Sequence, residues 1–447
     1  GFMRYLSVMD DPKQNRGLAV PSSRIARLSR LTRMSAGVAG NMAVGGLVQL
    51  GRGQRPSING LLLTPRNITR IADELAKMRG AAMKMGQLMS MDTGDVLPPE
   101  LTQIMARLRD DAHVMPPKQL KTVLNAQWGE GWLARLKRFD VRPVAAASIG
   151  QVHRAQTKGG RDLAIKVQYP GVAGSIDSDV KNVGALIKMT GLLPSGFALD
   201  PYLEEARKQL HAETDYGAEG AALARFGALL ADDARFVVPS GHSDWSGPQI
   251  LAMDFVESTP IEDVEGADHA TRDRVSHDLF DLMLRELFDF GLMQTDPNFA
   301  NYRYRADTGQ IVLLDFGASR TLGADVGDVY RALMRAGLSR DRAGLIECAR
   351  KIGFLSDDLS SDHTDQIVTM MEMVFGALTQ ARVYDFGDTS LAKALQSKGA
   401  ALAKDGFIPP PLPMDALFLQ RKFAGMFLLA ARLRARVGVV SLIEKWI

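Results

Sequence analysis

Apolar residues recur at helical spacing over residues 64–91, where Ile68, Ile71, Leu75 and Met78 share one face. Thr64-Pro65 supplies the start, with threonine as cap and proline at the first helical position, and VLPPE (Val96 to Glu100) supplies the stop. Shorter helical runs follow at LTQIMARLR and PKQLKTVLNAQWG. Near Phe139 the pattern changes to short alternating runs. GQVHRAQT and RDLAIKVQ, joined by Lys158-Gly159-Gly160, predict a β-hairpin. Helices are predicted over 172–193, 201–230 and 269–290, short strands in FVVP and QILAMDFV, and a second hairpin in YRYRADTGQIVLLDFG. The rest, to residue 447, reads as mostly helical. This order predicts an α+β protein: a leader over 1–63, a helical extension over 64–136, a β-rich lobe over 137–256 and a helical lobe over 257–447. A β-rich lobe followed by a helical one, with polar loops between, suits a nucleotide cleft.

Composition narrows the class. The chain has 54 Lys+Arg and 51 Asp+Glu, a net charge of +3, which gives no general reason to expect nucleic acid as a partner. The single cysteine, Cys348, excludes an intramolecular disulfide framework, and the histidines show no metal-ligand spacing. Arg24, Arg27, Arg30 and Arg33 recur every three residues beside Ile25, Leu28 and Leu31, a basic and apolar pattern suited to an anionic membrane surface or to docking on the protein's own core. Ser35 to Gly51 is apolar but short for a span and carries Asn41 and Gln49, so peripheral or shallow association is favoured. Phe423 to Ala431 reads as a buried core helix.

The chemistry lies in four places. Lys166 sits in LAIKV, projecting to the face opposite Ile165 and Val167. Asp296 and Asn301 form D-x-x-x-x-N, and Asp315-Phe316-Gly317 closes the run IVLL. Each signal is weak alone: a strand lysine is usually a solvated charge, and Asp and Asn are common in turns. Together, in this order, they are the protein-kinase set. An ammonium at Lys166 suits the α/β-phosphates of ATP or ADP. Asn301 and Asp315 offer hard oxygens to Mg²⁺ or Mn²⁺, and Asp296 is placed to orient an attacking hydroxyl or water. A helix carboxylate is needed to hold the lysine. Glu213, Asp215 and Glu219 are available, and Glu219 is preferred. The phosphate-covering position reads Ala145-Ala146-Ala147-Ser148, stiffer than a glycine loop. The base should meet the segment Met253, Asp254, Phe255 and Val256, which joins the lobes. No A-P-E follows the D-F-G, so no peptide platform is expected.

AAASIGQVHRA, LAIKVQYPGV, QTDPNFANY and VLLDFGASR resemble the UbiB family of atypical kinase-like proteins, over nearly the whole chain from about Val20. GAAMKMGQLMSM carries that family's K-x-G-Q at Lys84, Gly86 and Gln87, and ETDYGAE its E-x-D at Glu213 and Asp215 followed by Glu219. VPSSRIARL, RKFAGMFLLAARLRAR and the T-D-P-N form of the loop are similar to the branch that includes the mitochondrial coenzyme Q member. The resemblance implies a protein kinase-like two-lobe fold whose K-x-G-Q extension covers the active site, with Lys84 pairing Glu213. It implies that the alanine loop alters nucleotide preference and suppresses autophosphorylation. It further implies ATPase activity, support of ubiquinone biosynthesis, and association with membranes and quinone-precursor lipids. Other ubiquinone-biosynthesis proteins and a homodimer are further partners to test. The expected location is the cytoplasm of a bacterium, peripherally attached to the inner membrane, or the mitochondrion if the source is eukaryotic. The alternative function is a nucleotide-gated lipid-binding protein with incidental hydrolysis; a conventional protein kinase ranks third.

Overall fold

The computed structural model describes residues 78–92, 114–190, 193, 198–296, 298–407, 410 and 412–447. The leader, the basic stretch at 24–33, the segment 35–51, the helix start at Thr64 and the run 101–109 lie outside the described residues. The chain divides into two compact units, one containing residues up to 221 and 240–255, the other 222–239 and 256–447. Among the described residues, no helix is long and apolar enough to cross a membrane.

In the first unit, α1 (Arg79–Asp92) and α2 (Pro117–Trp128) precede β1 (Leu136–Phe139), β2 (Ala145–Ala146), β3 (Gly150–Thr157) and β4 (Asp162–Gln168). Next come α3 (Ile176–Thr190), α4 (Asp200–Glu213) and α5 (Tyr216–Leu229), whose last turns pass into the second unit, and then β6 (Ile250–Asp254); β5 (Phe236–Val237), between α5 and β6 in the chain, belongs to the second unit. The sheet order is β1-β3-β4-β6, with β2 also on β3, and every pairing is antiparallel. The hairpin β3–β4 pairs Gly150 with Gln168 and Gln156 with Asp162. Strand β4 is therefore central. Leu163, Ile165 and Val167 are fully buried in a core with Leu120, Leu124, Trp132, Trp245 and Ile250, as the two-residue period of a strand requires. Trp128 packs edge-on against both Trp132 and Trp245, with ring centroids 5.4 and 5.2 Å apart.

Two boundaries differ from the periodicity. The predicted helix 201–230 is broken at Thr214-Asp215, because the Asp215 carboxylate accepts from the Ala218 N–H at 2.9 Å and starts α5 afresh. FVVP does not belong to the first sheet. Its strand β5 is part of the second unit and runs parallel to residues 311–312 there, a non-local pairing that local pattern cannot reveal.

In the second unit, β7 (Thr259–Pro260) leads to α6 (His269–Arg285), β8 (Leu292–Gln294), β9 (Tyr302–Arg305), β10 (Gln310–Leu313) and β11 (Ser319–Thr321). One sheet has the order β5-β10-β9-β7, and β11 pairs β8. Helix α6 ends at Arg285, short of the predicted residue 290, in a π-helical turn over Glu286–Phe290 that closes at Gly291. Long helices follow, α7 (Val326–Leu338), α8 (Arg342–Ile352), α9 (Ser361–Gln380), α10 (Ser390–Lys404) and α11 (Met414–Leu433). Helix α11 contains the predicted core segment, and Met426, Leu429 and Ala430 are buried there.

Candidate functional site

The residues singled out by sequence fall into two groups, one in each unit. In the first, Lys166 extends from β4 to the face opposite the apolar core, and its Nζ donates to both Glu219 oxygens at 2.7 and 2.9 Å. The two side chains are only 10% and 2% exposed. Lys166 is thus neither an edge residue nor solvated. Its ammonium also lies 5.3 Å from the centre of the Tyr216 ring. Glu219 stands one turn into α5, the helix that Asp215 caps, so the two acidic residues of this stretch act in series: one starts the helix, the other holds the lysine. Gln168, at the end of β4, donates to the Thr214 carbonyl at 2.7 Å and ties the strand to that same helix start.

Glu213, at the end of α4, accepts from Lys84 of α1 at 2.7 Å, and its other oxygen accepts from the Ser148 hydroxyl. Ser148 lies in the turn between β2 and β3, and Ala147 and Gly150 hydrogen-bond each other's backbone to close that turn. Ala145 and Ala146 are exposed. Two glycines make this packing feasible. A Cβ on Gly150 would meet the Val167 carbonyl oxygen at 2.3 Å, and one on Gly80 of α1 would meet the Ser148 carbonyl oxygen at 2.8 Å. Helix α1 therefore sits directly on the alanine turn. Gln87 lies three residues beyond Lys84 on α1; its side chain falls outside the described residues.

Residues 253–255 are held by backbone bonds within the first unit. Met253 pairs Ala164 in the sheet, the Asp254 N–H donates to Ser240 O at 3.0 Å, and the Phe255 N–H donates to Asp162 O at 2.9 Å. The Asp254 carboxylate takes the Ser240 N–H and His242 at 2.9 and 2.7 Å. Both of those amides are thus committed within the unit.

In the second unit, Asp296 and Asn301 lie in the connection between β8 and β9, and Asp315 follows β10. Asn301 Nδ2 donates to Asp296 O at 3.2 Å, which turns the amide oxygen the other way. The Asn301 carbonyl accepts from Leu314 N–H at 3.1 Å, and Thr295 donates through both its N–H and hydroxyl to Ala318 O at 3.1 and 2.6 Å. The connection is thereby laced to both sides of Asp315-Phe316-Gly317. Asp315 Oδ1 accepts from Gly317 N–H at 3.0 Å, fixing the carboxylate plane. Phe316 is buried with its ring 4.8 Å from that of Phe226, and Phe226 is on α5, seven residues beyond Glu219. Among the described residues no three His, Cys, Asp or Glu side chains cluster as a metal cage. One carboxylate and one amide oxygen fit Mg²⁺, which takes few protein ligands and completes its shell with phosphate oxygens and water.

One charged residue escaped the sequence reading. Lys422 of α11 is 1% exposed and sits in the buried stripe Leu419, Lys422, Met426, Leu429, Leu433. That three–four spacing was the available signal.

Kinase-like proteins carry this lysine–glutamate pair and this carboxylate–amide pair in this order, and the sequence comparison agrees. Residues 107–349 match the ABC1 atypical kinase-like domain, and the chain belongs to that family, the one its motifs indicated. It is similar to the mitochondrial atypical kinase COQ8 of Saccharomyces cerevisiae, 38% identical over 431 residues, covering 96% of this chain and 85% of that protein. It is also similar to the mitochondrial atypical kinase COQ8B of Danio rerio, 35% identical over 425 residues, covering 93% and 67%. Among solved structures, Rv3197 of Mycobacterium tuberculosis, in its complex with erythromycin, matches with TM-score 0.59 and 25% identity, over 83% of this chain and 93% of that one. The fold is α+β and kinase-like.

Proposed function

We propose that this protein is a Mg²⁺-dependent ATPase or small-molecule kinase that supports ubiquinone biosynthesis at a membrane surface. The observation that carries the reading is the buried Lys166–Glu219 pair. An ammonium withdrawn from water and aimed by a carboxylate is costly as a structural device and well suited to phosphate. Lys166 binds the α/β-phosphates and Glu219 sets its direction. Ala145 to Ser148 cover the phosphates, and the base lies near Met253–Val256. Asn301 and Asp315 would hold the metal, which when bound neutralises charge on the phosphate oxygens. Asp296 orients the attacking hydroxyl or water and accepts its proton. The ubiquinone context follows from the similarity to the COQ8 proteins. Attachment is peripheral, through the basic and apolar leader, to a bacterial inner membrane or within a mitochondrion. The test is Mg²⁺-dependent ATP hydrolysis, which Asp315→Asn should abolish; unchanged turnover in that variant would remove the assignment.

A second reading, a nucleotide-gated protein that handles quinone-precursor lipids, is favoured by one feature: α1 rests on the alanine turn through Gly80 and the Lys84–Glu213–Ser148 contacts, so nucleotide at that turn bears on the extension. Co-sedimentation with anionic liposomes should then depend on nucleotide; absence of binding with and without it argues against this reading. A conventional protein kinase is disfavoured because only residues 318–325 separate Asp315-Phe316-Gly317 from α7.

A further inference from the structure

Lys422 joins three elements in the interior of the second unit. Its Nζ donates to the Gln294 carbonyl at 2.8 Å and to the Tyr302 hydroxyl at 2.8 Å, and lies 3.4 Å from Gln294 Oε1. Glu286 Oε2, at the start of the π-helical turn after α6, is 3.2 Å away, and both side chains of that pair are 2% exposed. Gln294 is the last residue of β8 and Tyr302 the first of β9. Everything between them is the 295–301 connection that carries Asp296 and Asn301. One ammonium, supplied from a helix more than a hundred residues later, therefore holds both ends of that connection.

The energetics make a purely packing role a poor explanation. Burying an ammonium and a carboxylate costs several kcal/mol per ion before their attraction is counted, and apolar side chains of similar volume often do as well or better. The stripe around Lys422 is apolar, so a methionine would continue it. What the lysine adds is direction: three acceptors from three elements converge on one point, and two of them flank the same short connection.

We propose that Lys422 is a positioning residue that sets the separation of Asp296 and Asn301 by clamping Gln294 and Tyr302, with Glu286 as its counter-charge. The proposal deepens the phosphoryl-transfer reading and rests on it for its catalytic consequence. The geometric consequence stands apart: releasing the clamp loosens 292–305 specifically.

The test compares the full-length wild type with the doubly neutralised Lys422→Met/Glu286→Gln and with Tyr302→Phe, following ATP hydrolysis under Mg²⁺, thermal midpoint and amide hydrogen exchange. The double variant should keep its midpoint within several degrees and its KM within about threefold, lose about 100-fold in kcat, and exchange faster only over 292–305. Wild-type kcat and exchange in a folded double variant overturn the proposal. So does a fall in midpoint with faster exchange throughout the unit, which marks a scaffold role. Should the double variant fail to fold, Tyr302→Phe decides: about a tenfold loss of kcat at constant KM supports the clamp, and unchanged kcat overturns it. Should the wild type show no Mg²⁺-dependent hydrolysis, the phosphoryl-transfer reading fails, and the exchange data alone then support or overturn the clamp.

Discussion

Lys166 and Glu219 form a two-pronged ion pair on the face of β4 that turns away from the apolar core, with the ammonium bonded to both carboxylate oxygens. Removing one partner leaves the other charged and buried. Glu219→Ala should therefore destabilise the protein by roughly 3–5 kcal/mol, whereas Lys166→Met/Glu219→Met should recover most of that loss. Chemical denaturation measures both. The recovered double variant should still fail to bind ATP in calorimetry. Wild-type ATP affinity in it would show that the pair is structural.

The second pair in the same unit predicts a coupling. Glu213 bonds Lys84 of α1 with one oxygen and Ser148 of the alanine turn with the other. A double-mutant cycle with Lys84→Met and Glu213→Gln should give an interaction energy of about 1–3 kcal/mol. Hydrogen exchange in residues 145–150 should accelerate in either single variant. Additive stabilities with no change in that turn would mean that α1 is held by packing alone.

Asp215 predicts a smaller and purely local effect. It caps α5 through the Ala218 N–H, so Asp215→Ala should cost about 1 kcal/mol and Asp215→Asn or Asp215→Ser considerably less. Stabilities of the three variants distinguish a cap from a residue that works through its charge, for which Asn and Ser would be as costly as Ala.

Acid sensitivity should trace to His153. Burial depresses its pKa from 6.5 to about 4, against a smaller opposing effect of Asp140. The Met115 N–H donates to Gln151 Oε1, so the Gln151 amide nitrogen donates to His153 Nε2, and His153 Nδ1 donates to the Asp140 carbonyl. A proton on Nε2 would face the Gln151 NH₂. The folded state thus binds fewer protons than the unfolded state between pH 6.5 and 4. The stabilising effect is complete above pH 6.5 and lost as the pH falls, by roughly 3 kcal/mol in total. His153→Gln should flatten this part of the stability–pH curve; an unchanged slope would assign the acid limb elsewhere.

What the chain disclosed in advance, and what it withheld, has a physical basis. Lys166, Asp296, Asn301 and Asp315 stood out as candidates because phosphate and metal chemistry calls for those residue types at fixed places along strands and turns. Glu219 was legible because a buried ammonium requires a carboxylate. The two hairpins were legible because strand alternation and turn residues are local. The partner of FVVP was not, since a two-residue strand paired in parallel with 311–312 leaves no local trace. Lys422 was hidden for a different reason: a charged residue in an apolar stripe reads as an end of the stripe unless its partners, from 286 to 302, are known. The start of α5 at Asp215 was readable in principle as a cap, but the surrounding acidic residues drew a functional reading instead.

The central proposal is that Lys166 binds the nucleotide phosphates and that Asp315 holds the accompanying Mg²⁺. The most direct measurement is ATP affinity with and without Mg²⁺ in wild type, Lys166→Met and Asp315→Asn. Mg²⁺ should tighten wild-type binding by roughly tenfold or more, Asp315→Asn should erase that gain while leaving metal-free affinity within about threefold, and Lys166→Met should weaken binding in both conditions. An Asp315→Asn protein that keeps the full Mg²⁺ gain, or a Lys166→Met protein that binds ATP as the wild type does, would contradict it.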